Sequence, residues 1–195
     1  MRQTILAVFF GALLCQLASQ VWAADADNRP LLDDSRKVAS RLLNEIRGEL
    51  MRELEASGPV RAIVVCKYSA PELANVISRE TGMRVSRVSL RPRNPATGTP
   101  DAWEQQNLLN FEKRITAGEK AEALEYSEVV VEPAGRYFRY MKAIPVGQPC
   151  LACHGSAESI SEAVRAKLAS EYPYDRSVDY RLGQVRGAVS IKKPL

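Results

Sequence analysis

The chain has a single histidine, His154, in 195 residues. Bis-histidine ligation of a metal within one chain is therefore excluded. So is a catalytic histidine working beside a histidine ligand. No arginine-lysine run stands out, because basic and acidic residues alternate and the formal net charge is only +4. A nucleic-acid site is not expected. Past the first two dozen residues no hydrophobic stretch is long enough to span a membrane. Repeats and low-complexity tracts are missing too, which excludes a solenoid. Disulfides are scarce at best, since there are only four cysteines: Cys15, Cys66, Cys150 and Cys153.

What is present begins at the N-terminus. Arg2 precedes an apolar run from Ile5 to Leu14, and small residues lead to Val21-Trp22-Ala23. This reads as a secretory signal peptide, residues 1–23, with the run too short for a membrane span. Leu14 before Cys15 is too large for a lipidation site. A single domain is expected over residues 24–195, and export would place it in the periplasm.

The one histidine closes Cys150-Leu151-Ala152-Cys153-His154. C-x-x-C-H is the attachment signature of a c-type haem: two thiols bond the vinyl groups and the histidine becomes an axial ligand. Such attachment happens outside the bacterial cytoplasm, so the motif and the signal peptide support each other. A redox dithiol leaves His154 unexplained and lacks a βαβ context. A zinc site from Cys66, Cys150, Cys153 and His154 requires two adjacent residues to bind one ion. One haem c per chain is the expected cofactor.

Removal of Cys15 with the signal leaves Cys66 with no disulfide partner in an oxidising compartment. Three readings stand. It is an inert core thiol among Ile63, Val64 and Val65; it forms an intermolecular disulfide; or its thiolate is the second axial ligand. Competing ligands are Met51, Met83, Met141 and Lys67. Arg87, Arg91 and Arg93 are candidate partners for the haem propionates, because guanidinium suits carboxylate. Trp103 and Tyr172 are either haem walls or ordinary core.

Val38, Leu42, Ile46, Leu50 and Leu54 recur at every fourth residue, which predicts a long helix over 34–56 ended by Gly58-Pro59. Its stripe is a core face or a homodimer seam. A helix from Pro59, a break near Ser69 and a second helix to Glu80 follow. Residues 83–90 alternate as a strand, and 91–100 form a proline-rich loop. Asp101 and Glu104 make a capping box for a helix to Ala117. Strands 124–132 and 136–146 flank the turn Pro133-Ala134-Gly135. The C-x-x-C-H motif lies in a loop. A helix marked by Ile160, Val164 and Leu168 and a last strand over 185–191 complete the chain. This order predicts an α+β fold: an antiparallel sheet with helices on one face and a long N-terminal helix.

Several short segments carry a resemblance. They are Ala62-Ile63-Val64-Val65-Cys66, Ala70-Pro71-Glu72, Arg93-Asn94-Pro95, Pro100-Asp101-Ala102-Trp103-Glu104, Cys150 to Gly155, Tyr172-Pro173 and Arg186-Gly187-Ala188. In this order, from about Leu43 to Ile191, the chain resembles the single-haem c-type cytochromes with a PAS-like sensor fold. The resemblance implies a PAS-like sheet flanked by helices, and His154 with Cys66 as axial ligands. Two departures mark this chain. The loop from Asn94 to Pro100 is slightly longer, and Asp179 stands where that group has glycine.

The resemblance implies a redox or diatomic-gas (NO or CO) sensor that acts through a partner protein. A low-potential electron carrier is the alternative. An enzyme such as a peroxidase is not expected, for want of a distal acid-base group.

Overall fold

The computed structural model describes residues 28–195 with their side chains. The expected signal peptide (1–23) and Cys15 lie outside the described residues. The contacts divide the chain into two compact units, Met1–Ser35 and Arg36–Leu195, and the second contains the sheet and every candidate site residue. No described helix is long and apolar enough to cross a membrane.

Helix α1 (Leu6–Val64) carries the fourfold stripe, and Val38, Leu42 and Ile46 are buried while Leu50 and Leu54 are half-buried. Gly58 breaks it with φ +76°, a backbone state open to glycine. Pro59 then restarts the helix, as its fixed φ allows at a first turn. The helix does not end at a simple loop near Ser69. It widens into a single π turn, Val65–Ser69, and runs on as α2 (Ala70–Thr81). Strand β1 (Arg84–Val88) follows.

The loop expected over 91–100 contains one helical turn, α3 (Pro95–Gly98), capped by the Asn94 side chain on Ala96 N–H at 3.1 Å. Helix α4 (Ala102–Thr116) has the predicted capping box, with Asp101 and Glu104 each accepting from the other's N–H at 2.8 Å. Strands β2 (Glu125–Glu132) and β3 (Gly135–Pro145) form the predicted hairpin. The C-x-x-C-H motif is a short helix, α5 (Leu151–His154), rather than a loop. Helix α6 (Glu162–Glu171) and strand β4 (Val185–Pro194) complete the fold.

The four strands form one antiparallel sheet in the order β1-β4-β3-β2. The fold is therefore α+β with a long N-terminal helix, as the sequence pattern implies. Both faces of the sheet are covered: Ala188, Val189, Ser190 and Ile191 are all buried along β4. A central strand buries both of its faces. On one face, α4 supplies Leu108 and Phe111 against Leu124, Met141, Ala143 and Ala188. On the other, Tyr140 is the register partner of Ile191 and donates to Glu125 at 2.8 Å. Glu125 also accepts from Arg36 on α1 at 3.0 Å.

Trp103 belongs to the α4 side. It donates to Glu128 at 2.6 Å and lies under the Arg139 guanidinium, 4.3 Å from its ring centre. Buried Arg139 also pairs with Asp101 at 2.7 Å and Glu104 at 3.3 Å. The Asp101–Glu104 segment thus ties α4 to the sheet; it is core structure rather than a haem wall.

Candidate functional site

His154 ends α5, and its ring is held by the segment that follows α6. Nδ1 lies 2.7 Å from the Ser177 carbonyl oxygen and 2.9 Å from Ser177 Oγ. A carbonyl only accepts, so the shortest contact favours a proton on Nδ1, although two donors, Arg93 Nη2 at 3.2 Å and Arg186 Nε at 3.3 Å, face the same atom. That tautomer leaves Nε2 with its lone pair, as a metal-binding histidine needs. Burial pushes the imidazole pKa well below its ordinary value, and the charges of Arg186 and Arg93 add to this. The ring is therefore neutral and ready to act as a ligand.

The cradle is built from backbone as well. Tyr180 N–H donates to the His154 carbonyl and Asp179 N–H to the Gly155 carbonyl, each at 2.9 Å. Asp179 has φ +60°, a left-handed state that suits the glycine expected there. Ser177 N–H donates to Asp175 Oδ1 at 2.7 Å, closing a local turn. Gly155 admits no side chain: a Cβ would lie 2.5 Å from Ser159 Oγ and 2.7 Å from the Leu151 carbonyl oxygen.

The three described cysteines are all unbridged and half-buried. Cys153 packs in a cluster with Ile63, Ile160, Val164, Leu168 and Tyr172. Burial raises its thiol pKa, while Arg93 lowers it and Cys66 raises it. Burial, with a smaller contribution from Cys66, pushes the Tyr172 phenol up to about 12. Cys66 also raises the pKa of Arg87, against a larger lowering by burial. The π turn thus brings Cys66 into one neighbourhood with Cys153, Tyr172 and Arg87. Ile63, one helical turn before Cys66, anchors it to the Cys153 cluster. π turns are rare and recur at functional sites. No group of three His, Cys, Asp or Glu residues among the described ones is arranged to hold a metal ion, so the Cys₃His zinc set is not formed.

The arginines divide. Arg93 is buried, 7 % exposed, with Nε 3.0 Å from Asp175 and Nη2 donating to the carbonyls of Ser177 (3.1 Å) and Cys153. Arg91 donates to the Val178 carbonyl at 2.8 Å and stacks 3.8 Å over the Tyr180 ring centre. Both brace the cradle, with these donors engaged by carbonyls of the protein. Arg87 lies in β1 opposite Val189, and its guanidinium shows no side-chain hydrogen bond among the described residues.

Sequence reasoning missed Arg186. The β3–β4 register shifts between Ile144, opposite Gly187, and Pro145, opposite Val185, so Arg186 is an extra residue in β4. Such a bulge re-aims a side chain. Arg186 Nε lies 3.3 Å from His154 Nδ1 and 3.5 Å from Nε2. Burial lowers its pKa to about 10, with repulsion from Arg93 and Arg87 contributing. Three arginines therefore share this region with one carboxylate, Asp175. The Arg186-Gly187-Ala188 motif was the available signal. Gly187 is needed because β4 passes so close to β1 that a Cβ there would lie 2.3 Å from the Val88 carbonyl oxygen.

The donor set fits a covalently attached haem. Two free thiols stand three residues apart, a neutral imidazole presents Nε2, a third thiol lies nearby, and excess buried cation faces the same region. That cation suits anionic propionates.

Comparison with solved structures finds a cyanobacterial protein described as "the cyanobacterial heme-protein Tll0287". It matches with a TM-score of 0.65 and 25 % sequence identity, over 86 % of this chain and 96 % of that one. Comparison with curated proteins finds no match. A family model described as Tll0287-like matches residues 24–194. The chain belongs to the Tll0287-like family.

Proposed function

We propose that this protein is an exported, periplasmic c-type haem protein that works as a redox or diatomic-gas sensor. Cys150 and Cys153 attach one haem per chain, and His154 and Cys66 supply the axial ligands. Bound there, the group supplies an iron that exchanges one electron and takes up CO or NO when one face is open. The similarity to a haem protein and the neutral imidazole of His154 held at Ser177 support the cofactor. Export is supported by the signal-like N-terminus and by the compartment in which C-x-x-C-H is used.

The observation that carries the sensor reading is the placement of Cys66. His154 is fixed by Ser177, Tyr180 and Asp179, a set of short hydrogen bonds. Cys66 instead sits on a π turn between two helices. One ligand is rigid and the other lies on a joint. With a haem held there, a change of iron charge that weakened its bond to Cys66 would be felt in the π turn between α1 and α2.

The test is the absorption spectrum of the purified protein, ferric and then dithionite-reduced, before and after CO. Ready uptake of CO by the ferrous protein supports the sensor. A spectrum blind to CO overturns it in favour of an electron carrier that keeps both ligands. Cys66→Ala is expected to keep the covalent haem and change the ferric spectrum. Cys150→Ala with Cys153→Ala is expected to lose haem on denaturation.

A further inference from the structure

We propose that Lys67 and Glu171 form the latch that positions Cys66; the proposal rests on Cys66 as an axial ligand. Cysteine has one rotatable bond before its sulfur, so the backbone of Val65–Ser69 decides where the thiol points. That π turn has no side-chain cap of its own. Beyond the buried Val65, two contacts tie this stretch of helix to the segments around the histidine. Ile63 packs in the cluster with Cys153, Val164, Leu168 and Tyr172. Lys67, the residue after Cys66, pairs with Glu171.

Glu171 is well placed for a latch. It is the last residue of α6, where a carboxylate faces unpaired carbonyls and gains nothing from the helix dipole. Lys167 reaches it at 2.6 Å from the preceding turn, and Lys67 completes it from across the site. Lys67 and Glu171 are partly covered, at 29 % and 19 % side-chain exposure. Lys67 Nζ also lies 5.9 Å from the Tyr172 ring centre.

The latch joins both ligand segments. Glu171 leads into Tyr172, whose carbonyl accepts from Asp175 N–H at 3.0 Å. Asp175 in turn holds Arg93 and Ser177, which hold His154. One side chain next to Cys66 thus grips the segment that cradles the histidine on the other side. The apolar anchor at Ile63 resists separation, whereas the ion pair can open and close. Lys67 and Glu171 are positioning residues: they act through Cys66, and set how readily its turn swings away.

The experiment compares the intact protein with Lys67→Met, Glu171→Gln, the double variant and Lys67→Arg. Two quantities are read: the ferric absorption spectrum and the rate of CO binding to the dithionite-reduced protein. Lys67→Met and Glu171→Gln are each expected to shift the ferric spectrum towards that of Cys66→Ala and to raise the CO rate by about threefold or more, the scale of a partly exposed ion pair. The double variant is expected to match Glu171→Gln, which already breaks the Lys67 contact along with the Lys167 pair, so that Lys67→Met adds nothing to it. Lys67→Arg is expected to restore wild-type behaviour, which a merely structural loss would not predict.

Wild-type spectra and CO rates in both single variants overturn the latch, provided Cys66→Ala does change the spectrum. If Cys66→Ala leaves the spectrum unchanged, the ligand reading itself has failed, and the latch with it. Glu171→Gln is near isosteric on a partly exposed side chain, so it keeps the test open if Lys67→Met fails to fold.

Discussion

Arg93→Met tests whether the histidine cradle depends on one buried ion pair. Arg93 and Asp175 are 7 % and 11 % exposed and stand 3.0 Å apart. Methionine keeps the length and the apolar stem but removes the charge and the donors to the Cys153 and Ser177 carbonyls. Removing one partner of a buried pair costs about 3–5 kcal/mol. Asp175 retains its bond from Ser177 N–H at 2.7 Å, so the lower end applies, about 3 kcal/mol. For a domain of this size each kcal/mol moves the melting temperature by about 2–4 °C, giving a fall of about 6–12 °C. With a urea slope of about 2 kcal/mol per molar, the unfolding midpoint falls by about 1.5 M.

The assay is urea unfolding of the purified protein followed by far-ultraviolet circular dichroism. Asp175→Asn supplies the other half of the comparison, since it strands a buried guanidinium beside Arg186 and Arg87. The double variant is expected to lose at least about 1 kcal/mol less than the sum of the singles. A midpoint shift under about 0.5 M for Arg93→Met, or strict additivity, would refute the reasoning. The cradle would then be held by its backbone bonds alone.

Three further outcomes are expected. Gly187→Ala forces β4 away from β1, because the new Cβ meets the Val88 carbonyl oxygen at 2.3 Å; the loss should be about 1–3 kcal/mol by thermal melt, and a neutral effect sinks the close-approach argument. Asp179 is exposed with φ +60°, so Asp179→Gly should melt no lower than wild type while Asp179→Val loses about 1–2 kcal/mol, and equal melting of the two contradicts a left-handed backbone there. Hydrogen bonds from Lys167 and Lys67 hold the Glu171 carboxyl at about 2, below its ordinary 4.5. A depressed carboxylate contributes stability above its unfolded pKa and loses it as pH falls through the folded one. The melting gap between wild type and Glu171→Gln should therefore be full near pH 6 and vanish towards pH 2, and a gap independent of pH speaks against the pairing.

Local chemistry made some of this legible in the sequence. The capping box at Asp101 and Glu104, the hairpin at Pro133-Ala134-Gly135 and the stripe from Val38 to Ile46 each depend on residues within a few positions, and each formed as read. The C-x-x-C-H run is likewise local. What escaped depends on distant partners. The π turn at Cys66 lies just before Pro71, whose missing N–H announces a break near Ser69 but not that the helix runs through it as a widened turn. Ser177 is an ordinary loop serine until the fold sets it 2.7 Å from His154. Arg186 sits at an alternating position of a clear strand, where period two assigns it to the face of Ala188 and Ser190. The bulge opposite Ile144 and Pro145 reverses that assignment, and nothing in the strand's own sequence specifies it.

The charge of the region argues about its purpose. A buried guanidinium is expensive to desolvate and is normally matched by an acid. Arg139, on the α4 side, is matched three times over, by Asp101, Glu104 and Glu132. Arg87, Arg93 and Arg186 share one acid, Asp175, and it is taken by Arg93. Burial lowers the pKa of Arg87 and Arg186 accordingly. The same chain therefore satisfies buried Arg139 fully and leaves the half-buried Arg87 and Arg186 short of negative charge. Arg186 lies against His154, and Arg87 acts on both Cys66 and His154. Under the proposed function, haem propionates would supply the missing negative charge and so resolve an imbalance that a purely structural core leaves standing.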